Sequence, residues 1–246
     1  FDVLGWVHAP GSYAVTINVD PNSNEKEYKI SFLSEKPGEI IKYTTNGFKP
    51  TINSLTYHNP IKINQRTVIK ASMFIDGIQK GKTSKKTIFF SKAIGKKVEY
   101  NSQYSDRYTG SGPLTLVDGL TGSISHNDNY WQGWHEDDMD VTIDLSKIES
   151  ISKVSMGFLE SHGSWIFLPT HVMVSFSNDG TSYKKQVEIQ ISDGKRGGAA
   201  NRVECESENL NIDARYVRVR AINRKKCPGW HPGSGGKTWV FSDEVI

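Results

Sequence analysis

The chain contains 246 residues, carries a formal net charge of +3 and has a mean hydropathy of −0.49. No apolar run approaches the length of a membrane-spanning helix, and the lysines do not alternate with aromatic residues, so the composition argues against a membrane span and against nucleic-acid binding. The length admits one large or two small domains, and a chain that starts at Phe1 without a signal segment is expected to be a piece of a longer protein, with any signal peptide lost with the missing part.

The first part of the chain alternates apolar and polar side chains in short stretches, which predicts β-strands with one buried face. Asn46-Gly47 and Asp76-Gly77 are turn signals, because these residue types tolerate positive φ angles. About seven short strands predict an immunoglobulin- or fibronectin III-like β-sandwich over residues 1–90. The strands recognisable by alternation cover residues 13–19, 28–33, 39–44, 66–74 and 83–90.

Residues 41–64, which read IKYTTNGFKPTINSLTYHNPIKIN, resemble the C-terminal domain of chitobiases and β-hexosaminidases. The resemblance implies a spacer that packs beside a catalytic barrel. Tyr43 and Tyr57 are interpreted as core or edge aromatics in preference to sugar platforms. The matching positions are Tyr43, Thr44, Gly47, Pro50, Thr51, Leu55, Tyr57 and Pro60.

A short connector, residues 91–97, leads into the second part, where alternation returns in residues 140–145, 171–177 and 215–222. If residues 201–206 and 215–222 form a hairpin, Cys205 lies far from Cys227, and a disulfide requires the following loop to fold back. The sequence leaves open whether these two cysteines pair.

Residues 114–123, which read LTLVDGLTGS, resemble the first signature of discoidin domains, also called coagulation factor V/VIII type C domains. The resemblance covers residues 91–246 and implies a discoidin-type jelly-roll β-sandwich. It is nearest to the C-terminal modules of bacterial family 20 β-N-acetylhexosaminidases, with family 32 carbohydrate-binding modules as relatives. Further matches follow in order at NYWQGW (129–134), VTIDL (141–145), VSFSNDG (174–180), ARYVRVRA (214–221) and SDEVI (242–246).

Many discoidin-type domains hold a structural Ca²⁺ beside the Asp-Gly turn, so the resemblance implies a calcium site in this chain. Calcium binds carboxylate, hydroxyl and carbonyl oxygens together, and a tight loop can direct carbonyls inward. The alternative is a turn aspartate and a surface glutamate without a metal. The matching ligands are the carboxylates of Asp118 and Glu244, the hydroxyl of Ser123 and the backbone carbonyls of Thr115, Leu120 and Asp243.

Three loops combine aromatic with polar side chains, which is the chemistry that sugar recognition requires. The first contains Trp131, the second is LESHGSWIF at residues 159–167, and the third is KCPGWHPGSGGKTW at residues 226–239. The alternative is that several of the tryptophans, including Trp165, belong to the core. The candidate carbohydrate-binding residues are Trp131, Glu160, His162, Trp165, Trp230 and His231.

No hydrolase motif is present, and the acidic residues at 136–140 are interpreted as a solvated turn, because two carboxylates catalyse glycoside hydrolysis only across a cleft. The resemblance implies a non-catalytic region of an exported β-N-acetylhexosaminidase that tethers the enzyme to glycans with galactose or N-acetylhexosamine. Such a protein would be periplasmic, attached to the outer membrane or secreted. The alternative is a structural or protein-interaction module that packs on the catalytic domain of the same polypeptide without binding sugar.

Overall fold

The computed structural model describes residues 13–22, 27–34, 39–192 and 194–246. The chain divides into two compact units, residues 1–90 and residues 91–246. The named strands of the described ranges pair antiparallel and no α-helix forms there, so the prediction of an all-β chain is confirmed. Two short 3-10 turns, Thr115–Val117 and His162–Ser164, lie in the second unit.

The first unit is a small β-sandwich of a three-stranded sheet, ordered β1-β2-β5, and a four-stranded sheet, ordered β4-β3-β6-β7. This sandwich follows from the alternation of side chains along each strand. In β2, for example, Tyr28, Ile30 and Phe32 are buried, whereas Lys29 is exposed. Its strands are β1 Val15–Asn22, β2 Glu27–Ser34, β3 Ile40–Thr44, β4 Leu55–Thr56, β5 Ile61–Ile63, β6 Thr67–Ile75 and β7 Ile78–Ile88.

The two tyrosines of the hexosaminidase-like stretch pack into this first unit. The ring of Phe32 lies 5.2 Å from that of Tyr43 and 4.9 Å from that of Tyr57, centroid to centroid. Both rings therefore stabilise the sandwich, as the interpretation of core or edge aromatics expected.

The two turn signals of the first unit play different roles. Asp76 (φ 49°) and Gly77 (φ 78°) join β6 to β7 directly, since Ile75 pairs with Ile78, and this is the predicted hairpin turn. Gly47 (φ 79°) instead lies in the long connection between β3 and β4, where its backbone N–H donates to the carbonyl of Val68.

The second unit is a discoidin-like β-sandwich whose five-stranded sheet is ordered β13-β12-β15-β10-β8 and whose four-stranded sheet is ordered β14-β11-β16-β9. The inward faces of both sheets form one apolar core that includes Trp134, Phe158 and Val219. Its strands are β8 Lys97–Tyr100, β9 Gln132–His135, β10 Met139–Ile151, β11 Ser155–Glu160, β12 His171–Ser177, β13 Lys185–Gln190, β14 Asn201–Glu206, β15 Ile212–Ala221 and β16 Trp239–Val245.

The residues expected to form a connector belong structurally to the second unit. Ala93 is buried in its core, the N–H of Gly95 donates to the carbonyl of Val117, and the amine of Lys92 donates to the carbonyl of Ser150 at 2.7 Å. Residues 91–96 are thus folded onto the sandwich that follows them.

The hairpin considered for residues 201–206 and 215–222 does not form. β14 pairs with β11 and β15 pairs with β10 and β12, so the two strands lie in different sheets. Cys205 and Cys227 are both buried and both are free thiols. The disulfide that the sequence left open is therefore absent.

Carboxylates of the acidic stretch 136–140 form ion pairs with cations of neighbouring strands and loops, a feature that the interpretation of a solvated turn did not include. Asp138 contacts Arg220 at 2.9 Å, and Asp140 contacts Arg218 at 2.6 Å. In the pairing of β10 with β15, Asp140 lies opposite Arg220 and diagonal to Arg218, so these ion pairs support sheet pairing.

The topology brings three loops to one end of the four-stranded sheet. β11 ends at Glu160, β14 begins at Asn201 opposite it, and β16 begins at Trp239 on the other side of β11. The segments that follow β11, precede β14 and precede β16 therefore meet at this end, which carries five of the six candidate sugar-binding residues.

Candidate functional site

The loop after β11 is a tight turn that projects Trp165 outward. The backbones of Ser161 and Ile166 exchange hydrogen bonds, and the 3-10 turn His162–Ser164 fills the space between them. Trp165 ends that turn with a φ of 63°, the left-handed region that a bulky side chain rarely adopts. Such a strained position persists only where the surrounding contacts hold it, and it marks this loop as a functional candidate.

Glu160 and His162 form a buried pair beneath the surface of this loop. The Nε2 of His162 lies 3.1 Å from the Oε1 of Glu160. The backbone N–H of Gly197 donates to the Nδ1 of His162 at 3.2 Å, so the ring proton lies on Nε2 and is donated to Glu160. The N–H of Gly194 donates to the same carboxylate oxygen at 3.1 Å, and the pair thereby anchors the segment before β14.

His231 anchors the third loop in the same manner. The N–H of Gly233 donates to its Nδ1 at 3.0 Å, so its proton lies on Nε2, 2.9 Å from the carbonyl oxygen of His162. His231 is only 6% exposed. Both nitrogens of each buried histidine are therefore occupied by internal hydrogen bonds, and these rings position the loops instead of presenting free ligand groups.

Two tryptophans remain accessible above this scaffold. Trp165 is 40% exposed and Trp230 is 37% exposed. A Cβ at Gly233 or at Gly236 would collide with the indole of Trp165, so the two glycines clear the space in which that ring lies. The ring of Trp230 stands edge-on to that of His162, with centroids 5.0 Å apart. The predicted alternative that Trp165 is a core residue is wrong, since its ring borders solvent.

Trp131 does not belong to this site, which corrects its prediction as a sugar-binding residue. Its side chain is 1% exposed and packs with Leu159, Ile166 and Phe241. Its indole N–H donates to the carbonyl of Ser123 at 3.1 Å. A ring enclosed on all sides offers no face to a sugar, so Trp131 supports the loops from below.

The predicted calcium ligands lie elsewhere in the second unit, around the Asp-Gly turn. Glu244 is fully buried; its Oε2 accepts the N–H of Gly119 at 2.9 Å, whereas its Oε1 has no hydrogen-bond partner. Burial, followed by the nearby carboxylates of Asp118 and Asp243, raises the pKa of Glu244 well above its usual range. Asp118 accepts the N–H of Leu120 at 2.8 Å and the hydroxyl of Ser111 at 2.6 Å.

The other predicted ligands differ in their surroundings. The carboxylate of Asp243 is held by the guanidinium of Arg202 at 2.5 Å, so its charge is already balanced and only its backbone carbonyl fits the predicted role. Thr115 and Leu120 are buried, whereas Ser123 is exposed and its hydroxyl accepts the N–H of Ser125 at 3.1 Å. Within the described ranges, no group of three His, Cys, Asp or Glu side chains is placed to hold a metal ion.

Several residues of both regions escaped the sequence analysis. Gly194 and Gly197 belong to a glycine-rich stretch that carries no motif, and their role depends on backbone N–H groups that any residue type possesses. Arg202 looks like an ordinary strand cation until β14 is placed beside β11 and β16. The clustering of glycines near Gly233 and Gly236 was the one available signal, since close approach of an aromatic ring requires them.

A jelly-roll sandwich with loops of aromatic residues at one end defines the class of discoidin-type modules. The profile of the F5/8 type C domain matches residues 97–240, more than half of the chain, and the chain belongs to this family. The profile of the chitobiase/beta-hexosaminidase C-terminal domain matches residues 11–86. No curated protein matches the chain.

Several solved structures resemble part of this chain. A mutant of the lectin binding domain of Lectinolysin complexed with Lewis b is 20% identical over 64% of this chain and 95% of that domain, with a TM-score of 0.42. A fucose binding module of Streptococcus pneumoniae is 16% identical over 70% of this chain and 96% of its own, with a TM-score of 0.42. A CBM32 module of Clostridium perfringens, in complex with GalNAc-β-1,3-galactose, is 18% identical over 61% and 91%, with a TM-score of 0.39. In the part of the chain that the structure describes, no helix is long and apolar enough to cross a membrane.

Proposed function

We propose that residues 91–246 form a non-catalytic carbohydrate-binding module that holds an attached glycoside hydrolase on its glycan. The observation that carries this proposal is the pair of exposed indoles, Trp165 and Trp230, on two loops that buried hydrogen bonds hold together. An aromatic face contacts the apolar C–H face of a sugar ring, and a preorganised site loses little entropy when it binds. Glu160, His162 and His231 supply that preorganisation.

The proposed ligand is a glycan with galactose or N-acetylhexosamine residues, and the proposed parent enzyme is a β-N-acetylhexosaminidase. The match of the first unit to the chitobiase/beta-hexosaminidase C-terminal domain supports the second point. The catalytic domain of the same polypeptide would be a partner of the first unit, whose Phe48 and Leu55 are 73% and 61% exposed. The same context supports an exported protein, whether periplasmic, attached to the outer membrane or secreted.

The sugar-binding proposal is tested by calorimetric titration of galactose, N-acetylgalactosamine and N-acetylglucosamine into the whole chain. We expect millimolar binding of one of them, and loss of that binding in Trp230→Ala, because the substitution removes one aromatic face. Phe48→Ala is the matched control, since it removes an exposed aromatic ring from the first unit and should change nothing. Absence of binding across a broad glycan panel would refute the proposal and favour a purely structural module.

A structural Ca²⁺ beside the Asp-Gly turn is the second part of the proposal. The buried Oε1 of Glu244 without a hydrogen-bond partner and the adjacent carboxylate of Asp118 favour it, because a divalent cation would balance two charges of one sign. Arg202 forms its ion pairs with Asp243 and Glu204. Glu244 and Asp118 would hold the ion together with backbone carbonyls, and the ion would act as a clamp between the turn and β16.

Chelation tests this site. A ligand present at about 100 times its Kd stabilises the folded state by about 2.7 kcal/mol, so EGTA should lower the melting temperature by roughly 5–10 °C. Asp118→Ala should show no such shift, whereas Asp179→Asn, at a turn carboxylate held by backbone N–H groups, should behave as the wild type. Equal shifts in the wild type and Asp118→Ala would end the calcium proposal.

A further inference from the structure

The two exposed indoles border one buried ring. The ring centroid of Trp165 lies 5.9 Å from that of His231, and the ring centroid of Trp230 lies 5.8 Å from it. Both contacts are edge-on, with interplanar angles of 84° and 73°. The two indoles are thus separated by at most the sum of these distances, about 12 Å, and both are reachable by one extended ligand.

Each indole has its own support. Trp165 lies against the backbone of Gly233 and Gly236, whereas the ring of Trp230 lies 5.0 Å from that of His162 and 6.1 Å from that of Phe167. The two rings therefore share the contact with His231 but are otherwise held by different residues. His231 sets the spacing between them through its hydrogen bond to the carbonyl of His162.

We propose that this site binds an oligosaccharide of at least two sugar residues, with Trp165 contacting one sugar ring and Trp230 contacting another. The inference rests on the proposed carbohydrate-binding function and names the ligand class within it. An isolated monosaccharide would occupy one platform only. The strained φ of 63° at Trp165 is consistent with this role, since it belongs to a residue whose indole is 40% exposed.

The expected consequence is a dependence of affinity on chain length. One aromatic contact strengthens binding by roughly three- to tenfold, so a dimer should bind the wild type that much more tightly than its monosaccharide. The probes are N-acetylglucosamine with its β-1,4-linked dimer and trimer, and N-acetylgalactosamine with GalNAc-β-1,3-galactose. Calorimetric titration of the whole chain gives each Kd.

Four variants separate the possibilities. Trp230→Ala should lose monosaccharide binding, whereas Trp165→Ala should keep the monosaccharide Kd but lose the gain with chain length. Trp165→Phe keeps a ring at the strained position and should retain part of the gain, which distinguishes loss of contact from loss of folding. Phe48→Ala should match the wild type, and thermal melting of every variant reports folding.

The outcomes are distinct. Equal affinities for monosaccharide and dimer would overturn this inference while leaving the sugar-binding function intact. Loss of monosaccharide binding in both alanine variants would also overturn it, since a single sugar would then contact both indoles. Binding of no probe to the wild type would refute the sugar-binding function itself, and this inference with it.

Discussion

The left-handed backbone at Trp165 allows side-chain contact and backbone strain to be measured separately. A non-glycine residue at a φ of 63° costs about 1–2 kcal/mol relative to glycine, whereas glycine loses about 0.5–1 kcal/mol more backbone entropy on folding than alanine does. At the midpoints of these two ranges, Trp165→Gly should therefore be more stable than Trp165→Ala by about 0.8 kcal/mol. This order reverses the usual preference for alanine.

Both variants should be less stable than the wild type. Trp165 is 40% exposed, so about 60% of an indole of up to about 250 Å² is covered, or roughly 150 Å². At about 25 cal/mol per Å², removal of this contact costs up to about 4 kcal/mol, less the backbone strain that glycine relieves. Sugar affinity should fall equally in the two variants, because both lack the ring.

Urea unfolding at 25 °C measures the two free energies of unfolding. The matched control is Ser164, the preceding residue, which lies in the 3-10 turn and is not among the residues with positive φ. There Ser164→Gly should be less stable than Ser164→Ala. If the free energy of unfolding of Trp165→Ala is at least as large as that of Trp165→Gly, the assignment of strain to this loop is refuted.

Two further predictions concern buried groups. Arg202→Met should lower the free energy of unfolding by about 3–5 kcal/mol, because the fully buried Asp243 would lose its counter-charge. Arg218→Met, which breaks a more exposed ion pair, should lower it by under about 1 kcal/mol. Equal losses in the two variants would contradict this account. Burial raises the pKa of Cys205 to about 11 and also raises that of Cys227, so at pH 8 both thiols should react slowly with Ellman's reagent in the folded chain, and two thiols should react after unfolding in guanidinium. Recovery of no thiol after unfolding would show that the cysteines pair.

The strands of this protein were largely predictable because their signal is local. Alternation predicted a strand at residues 171–177, and β12 covers His171–Ser177. The Asp76-Gly77 turn was predictable for the same reason, since positive φ angles restrict the residue types at that position. Pairing was less predictable: β14 and β15 are neighbours along the chain, yet they lie in different sheets. A strand's partner depends on which face is buried and not on its own composition.

The site shows the same division. The second and third loops were recognised from their aromatic and polar residues, and the fold brings them together around His162 and His231. Exposure could not be read from residue type, since Trp131 and Trp165 look alike in sequence and only the second borders solvent. The anchoring of residues 194–197 was missed because backbone N–H groups leave no trace in the residue pattern.

By itself, the sequence determined the all-β character, the glycines of the positive-φ turns and the residue types that are available to contact a sugar. These features follow from steric and hydrophobic preferences that act over a few neighbouring residues. Only the tertiary structure decided which tryptophans stay exposed, where the protons of His162 and His231 lie, and which of Asp243 and Glu244 receives a counter-charge. Each of these depends on groups from distant segments, and burial of a ring or a charge is a property of what packs around it.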